Sequence, residues 1–157
     1  MPRLSPLNLK AWIDEHRDLL KPEVVGNIEL GLALTASDIA TAERQRAGIV
    51  RGMAEFFRSH DLLLTPCVAV PPFPVEQRYV TKINGVTLSN YIEWLSLTYA
   101  ITLTGCPAMS LPCGFTASGQ PVGLQIVGRP RDEAALLSHA AALEAQLGLP
   151  NRPIDLA

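Results

Sequence analysis

Two apolar runs, Ala108 to Phe115 and Val122 to Val127, are separated only by Thr116 to Pro121, with Gly119 in the gap. So short a connection closes a hairpin, whereas a parallel crossover needs about a dozen residues or more. The two runs must therefore pair antiparallel, and the rest of the chain has to be arranged around that pair. A third run, Asp61-Leu62-Leu63-Leu64-Thr65, has no polar alternation and ends at Pro66. It reads as a buried strand. Linked to the 108–113 run by a loop and a helix, it is expected to lie parallel to that run. The result is an α/β fold with one mixed sheet and covering helices.

The helices follow from apolar spacing. Leu7 to Leu20 carries Leu9, Trp12, Ile13, His16, Leu19 and Leu20 at helical intervals. Pro22 stops it or opens a next short element, and Asn27-Ile28-Glu29-Leu30 is ambiguous between a helical turn and a connector. The longest helix is predicted from about Ser37 to Ser59. Thr35 and Asp38 form a capping-box-like start with Ser37 as a competing N-cap, and Ile49, Val50, Met53, Phe56 and Phe57 make its apolar stripe. Gly48 and Gly52, one turn apart, mark a close backbone crossing or nothing. Thr87 to Leu103 reads as a helix with Tyr91, Trp94, Leu95, Thr98, Ile101 and Thr102 near one face, broken by Gly105-Cys106-Pro107. A last helix runs from Glu133 to Leu147, capped by Asp132 and ended by Gly148 and Pro150. Its stripe is Leu136, Leu137, Ala140, Leu143 and Leu147. Between strand and helix, Pro66 to Gly85 is a long proline-rich loop, of the kind that is functional or mobile, with Asn84-Gly85 as a turn.

At 157 residues, 48% hydrophobic and 18% charged, the chain suits one domain or one compact piece of a larger one. Thirteen basic against 15 acidic side chains leave a net charge of −2, which lacks the basic footprint of a nucleic-acid or anionic-lipid binder. The most apolar stretch, Trp94 to Cys113, is interrupted by threonine, glycine and proline, so no membrane span is expected. The start of the chain, Met1-Pro2-Arg3-Leu4-Ser5-Pro6, lacks a signal peptide's apolar segment. Cys67, Cys106 and Cys113 are three and form no Cys-x-x-Cys, which points to free thiols, a cytoplasmic setting and no zinc knuckle.

Motif chemistry is sparse. Gly123 and Gly128 lack the Lys-Ser or Lys-Thr of a P-loop and the third glycine of a dinucleotide fingerprint. His16, His60 and His139 have no metal-ligand spacing. Gly-x-Ser-x-Gly is absent. Asp14-Glu15 and Asp132-Glu133 fit solvation and capping. Cys67 sits at a strand end, where a nucleophile is well placed, but no base accompanies it in the sequence. No cofactor or metal is implied.

The segment Asp61-Leu62-Leu63-Leu64-Thr65-Pro66 resembles a signature late in the amidase signature hydrolases. So do the helix bearing Met53, Phe56 and Phe57, the run from Thr104-Gly105-Cys106-Pro107 to Pro112-Cys113-Gly114, and Gly119 to Gly128. Asp132-Glu133 and the Leu136-Leu137 helix complete the match, which covers about Asn27 onward behind a helical lead-in of residues 1–26. The resemblance is to the C-terminal third of those enzymes. It implies an amide C–N hydrolase whose Ser–cis-Ser–Lys triad belongs to a preceding portion. This chain has no Gly-Gly-Ser-Ser stretch, and its lysines, Lys10, Lys21 and Lys82, lack the triad context. No catalytic residue is therefore assigned.

What the resemblance leaves to this portion is part of the sheet, its covering helices and one wall of the substrate pocket. Ligands of α/β proteins bind at strand C-terminal ends, which points to Thr65, Cys67 and the loop behind them. The resemblance adds Tyr91, Trp94 and Thr98, so the candidate substrate-binding residues are Cys67, Tyr91, Trp94 and Thr98. Relatives in aminoacyl-tRNA amidation carry an acidic residue where this chain has Trp94-Leu95-Ser96, which favours an apolar or aromatic amide. Three readings stand: an amidase portion inactive alone, which takes an amide only with an N-terminal catalytic part; a non-catalytic subunit or pseudoenzyme docking on such a part; and a thiol hydrolase using Cys67. Exposed apolar surface around Tyr91, Trp94 and the Pro66–Pro74 loop is expected to drive self-association.

Overall fold

The computed structural model describes residues 6–149. These fall into two compact units divided at Gln45 and Arg46. The N-terminal lead read for a signal peptide, residues 1–5, and Pro150 lie outside the described residues.

In the first unit, α1 (Pro6–His16) runs into a 3₁₀ turn, Arg17–Leu19. Of the expected stripe, Ile13 is buried, Trp12 is partly exposed and stacks on His16 with ring centroids 4.9 Å apart, and Leu19 faces solvent. Pro22 opens α2 (Pro22–Ala33) at its first position, where a missing N–H costs nothing. The ambiguous 27–30 segment is the middle of that helix. Arg17 and Glu29 form a 2.6 Å ion pair.

Thr35 and Asp38 fix the start of α3 (Ala36–Phe56). Thr35 N–H donates to Asp38 Oδ2 at 2.9 Å, and Asp38 N–H donates back to Thr35 Oγ1 at 3.2 Å. Two orphan donors of the helix end are thus satisfied reciprocally. The Thr35 hydroxyl, and then its N–H, hold the Asp38 carboxyl below the ordinary aspartate range. Among the described residues nothing lies within 4 Å of a Cβ built on Gly52, and Gly48 meets only the tip of Arg51, so this pair makes no close backbone crossing there.

The second unit is built on a three-stranded sheet in the order β1 (Leu63–Pro66), β5 (Pro121–Val127), β4 (Ala108–Phe115). The hairpin forms as its loop length requires: β4 and β5 are antiparallel, with Ala108 opposite Val127 and Leu111 opposite Leu124. β1 pairs with β5 rather than β4, also antiparallel, with Leu63 opposite Val127 and Thr65 opposite Gln125. β1 and β4 therefore point the same way, as expected, but β5 lies between them. Every ladder in this three-stranded sheet is antiparallel, which corrects the mixed pairing. The reason is that β5, returning from a tight loop, takes the position beside β1. β1 is consequently an edge strand here rather than a fully buried one, and Leu64 is 47% exposed. The other edge, β4, accommodates Pro112, and its register shifts between Pro112 and Gly114.

Alternation along the strands separates two apolar clusters. On one face Leu111 and Ile126 pack with Leu136 and Ala140 of α5 (Glu133–Leu147), flanked by Leu62, Met109, Leu124 and Leu143. On the other, Val127 packs with Phe57 and with Ile101 of α4 (Ser96–Thr104), flanked by Met53, Phe56, Leu63 and Cys106. Asp132 is the N-cap of α5, and Gly148 ends it in the left-handed region. Leu137, expected in the stripe, is 59% exposed, because the face that meets the sheet is set by Leu136 and Ala140.

The predicted helix from Thr87 starts late. Lys82–Ile83 (β2) and Val86–Thr87 (β3) form a small hairpin around Asn84-Gly85, both at positive φ, as a two-residue turn of this kind demands. A 3₁₀ turn, Glu93–Leu95, then leads into α4. The helix ends at Gly105, whose φ of 71° suits glycine. Buried Thr104 holds the turn into β4: its hydroxyl donates to Ile101 O and accepts from Cys106 N–H at 3.1 Å. No helix among the described residues is long and apolar enough to cross a membrane.

Candidate functional site

The chain leaves β1 at Pro66 and stays hydrogen-bonded to β5 for one more residue: Cys67 N–H donates to Gly123 O at 3.2 Å. Period-two alternation puts Thr65 and Cys67 on one face, with Gln125 and Gly123 beside them on β5 and Ser110 beyond on β4. The result is a polar row continuing the face whose apolar end is Leu63 and Val127. Helix α4 lies over it. Thr98 Oγ1 donates to Cys67 O at 3.0 Å, and buried Gln125 donates from Nε2 to Thr65 Oγ1 at 2.9 Å and to Leu97 O at 3.2 Å.

Cys67 Sγ and Ser110 Oγ lie 3.0 Å apart, bridging β1 and β4 across Gly123. That bridge depends on glycine between them, since a Cβ built on Gly123 would meet both atoms at 3.0 Å. A cavity of about 580 Å³ opens here, lined by Cys67, Thr98, Cys106, Ser110 and Gln125 among others. Its lining offers hydroxyls, thiols and an amide, and contains no lysine, histidine or carboxylate. Lys10 is in α1, Lys21 precedes α2 and Lys82 is in the small hairpin. Cys67 thus meets a hydroxyl rather than the base a thiol nucleophile needs. The three cysteines are free thiols, and no group of three His, Cys, Asp or Glu among the described residues is placed to hold a metal ion.

A second cavity, of about 540 Å³, lies beside the first, and Val68 lines both. Its walls are Pro66, the proline loop from Val68 to Phe73, Thr116, the start of β5 at Pro121 to Gly123, and Trp94. Phe73 meets Trp94 edge-to-face with centroids 5.7 Å apart. Gln120 Nε2 donates to Pro72 O at 3.0 Å, tying the hairpin loop to the proline loop. Behind Trp94, the Ser89 N–H donates to Glu93 Oε2 at 2.9 Å, the Ser89 hydroxyl donates to Oε1, and Asn90 Oδ1 accepts from Ile92 N–H. The Ser89 hydroxyl, and then its N–H, depress the Glu93 pKa.

The four residues expected at a substrate therefore separate. Cys67 and Thr98 share the first cavity, Trp94 lines the second, and Tyr91 lines neither, its ring lying against Tyr79 with centroids 6.1 Å apart. Ser110, Gln125 and Phe73 join them, and none of the three stands out in the sequence as a site residue. A signal for Gln125 exists, as the one polar side chain within Val122 to Val127, and β pairing with Thr65 gives it meaning. Phe73 carries no such signal, since only the folded loop brings it to Trp94.

Comparison with known proteins places this arrangement. The family model described as Amidase matches residues 5–137. The chain is 36% identical over 113 residues to the acylamidase of Rhodococcus erythropolis, covering 71% of this chain and 24% of that one. It is 37% identical over 129 residues to a glutamyl-tRNA(Gln) amidotransferase subunit of Myxococcus xanthus, covering 79% of this chain and 25% of the relative. Among solved structures, a crystal structure of an amidase superposes with a TM-score of 0.76 at 30% identity, over 87% of this chain and 31% of that one. A bacterial aryl acylamidase of the amidase signature family gives 0.77 over 95% and 34%; at 24% identity it speaks for the fold alone. The chain thus spans about a quarter of the length of these curated relatives. Sequence match and fold agree, and the chain belongs to the amidase family, with the fold of the amidase signature enzymes.

Proposed function

We propose that this chain contributes sheet, covering helices and one wall of the substrate pocket to an amide hydrolase, and that it does not hydrolyse amides alone. The observation that carries this is the lining of the Cys67–Thr98–Ser110 cavity, which offers hydrogen-bonding groups and no base. Amide hydrolysis needs an activated nucleophile, a proton relay and oxyanion donors. The family resemblance assigns those to serines and a lysine that this chain does not match. Cys67 Sγ, facing Ser110 Oγ at 3.0 Å, is read as part of the wall. The partner in this reading is an N-terminal catalytic portion of an amidase, with a small-molecule amide as substrate and a reducing, cytoplasmic setting for the three free thiols. Alone, the chain is expected to self-associate through apolar surface around Tyr91, Trp94 and the Pro66–Pro74 loop, where Val68 and Ile92 are left in solvent.

The test is an amidase assay of the purified chain over aliphatic and aryl amides, with and without a separately produced catalytic portion. The expected result is background hydrolysis alone, a deficit on the order of 10⁶-fold or more against a complete enzyme. Turnover by the chain alone that survives Cys67→Ala would sink the reading. Turnover abolished by Cys67→Ala would establish a thiol hydrolase instead.

A further inference from the structure

We infer that the cavity between the proline loop and Trp94 is a binding site for an uncharged aromatic ring, the non-reacting group of the amide. Taking the ring to belong to an amide rests on the function proposed above; the binding chemistry does not. The cavity adjoins the Cys67–Ser110 wall through Val68 yet is chemically unlike it. Pro66, Pro71, Pro72 and Pro121 supply rigid apolar walls, and none of its lining residues is charged. With no charged side chain in the lining, a carboxylate or ammonium group would lose hydration there with no opposite charge to replace it.

Shape selects a ring. Phe73 and Trp94 already stand edge-to-face, so a third flat group meets two aromatic surfaces in the offset or edge geometries that aromatic quadrupoles favour. At about 540 Å³ the cavity falls within the range of small-molecule sites. It is also held open before any ligand arrives. The Gln120–Pro72 hydrogen bond fixes the loop from one side, and the Ser89–Glu93 bonds fix the turn that carries Trp94 on the other. Such preorganisation reduces the ordering cost of binding.

The experiment reads binding, not turnover. The chain has two tryptophans, so the full chain with Trp12→Phe reports on Trp94 fluorescence alone. Benzamide is the probe, benzoate tests charge and acetamide tests the ring. Saturable quenching by benzamide is expected, with benzoate and acetamide weaker by about tenfold or more. Phe73→Ala is expected to weaken benzamide by about tenfold. Ala69→Phe, at an exposed lining position, fills the cavity from its rim and keeps the test informative if Phe73→Ala fails to fold. Benzoate or acetamide binding as well as benzamide overturns the inference, as does unchanged binding in Ala69→Phe. So does displacement of benzamide by an added catalytic portion of an amidase, which would make the groove a polypeptide interface. Hydrolysis of benzamide by the chain alone would overturn the proposed function and leave the binding site standing.

Discussion

Thr65 and Gln125, directly opposite each other on β1 and β5, are joined by side chain as well as by register: Gln125 Nε2 donates to Thr65 Oγ1 at 2.9 Å. The same nitrogen reaches Leu97 O at 3.2 Å, so one buried amide connects the edge strand, the central strand and the first turn of α4. Only a group with two N–H donors can make both bonds.

Gln125→Leu removes both donors while keeping bulk, leaving Leu97 O and Thr65 Oγ1 without this partner. A loss of about 1–3 kcal/mol in unfolding free energy is expected from urea denaturation. Gln125→Glu is expected to be the more damaging above the carboxyl's pKa, because an ionised carboxylate can only accept and would face a carbonyl oxygen. Equal stability of the two variants across pH would contradict this account of the bond.

The local parts of this fold were legible in sequence because their causes are local. Thr35 and Asp38 signal a helix start through a bond that spans three residues, and the short 116–121 connection allows one pairing of β4 with β5. What is set by distant partners was not legible. Leu62-Leu63-Leu64 reads as buried, but the place of β5 between β1 and β4 is decided by packing across sixty residues of sequence. Asn84-Gly85 announced a turn, while Lys82, Ile83, Val86 and Thr87 are too few to announce strands. The predicted helix at 87 yields to the Ser89–Asn90–Glu93 network, which offers the backbone alternative partners. The division of the candidate residues between two cavities is likewise set by tertiary placement: Cys67 follows β1, Thr98 lies in α4 and Trp94 in the 3₁₀ turn before it, and only the fold puts the first two at one cavity and the third at the other.

Glycine positions give opposite signs. A Cβ on Gly128 would stand 3.1 Å from Leu136 Cβ, an atom fixed to the α5 backbone, so α5 must shift from the sheet. Gly128→Ala should destabilise by about 1–3 kcal/mol. Gly52, inside α3, has nothing within 4 Å of its built Cβ, and Gly52→Ala should stabilise by about 0.5–1 kcal/mol. Thermal melts of the two variants should move in opposite directions; a common direction would refute the packing explanation.

Acid should release the turn that carries Trp94. Glu93 is held below the ordinary glutamate range by the Ser89 hydroxyl and then by its N–H. A group whose folded pKa is depressed contributes fully above its unfolded pKa, and the contribution is lost as pH falls through the folded value. In the Trp12→Phe chain, Trp94 fluorescence should therefore change with a midpoint below the ordinary glutamate pKa. Glu93→Gln should abolish that step, while Asp38→Asn, at the capping box of α3, should leave it in place. A step unaffected by Glu93→Gln would assign the transition to another carboxyl.

Gly123 tests the Cys67–Ser110 bridge. No positive φ demands glycine there; what excludes a side chain is crowding by Cys67 Sγ and Ser110 Oγ, both 3.0 Å from the built Cβ. Gly123→Ala must push apart two atoms that are themselves 3.0 Å from each other, so it should cost about 1–3 kcal/mol. The cost should fall when the crowding atoms are removed. With Cys67→Ala and Ser110→Ala in place, the nearest remaining contact is Cys67 Cβ at 3.5 Å, an ordinary separation, and Gly123→Ala should become nearly neutral. A thermodynamic cycle measured by urea midpoints should then yield a coupling of about 0.5–3 kcal/mol. If Gly123→Ala costs the same in both backgrounds, the bridge does not set the size of this position, and the cavity wall is shaped by the backbone alone.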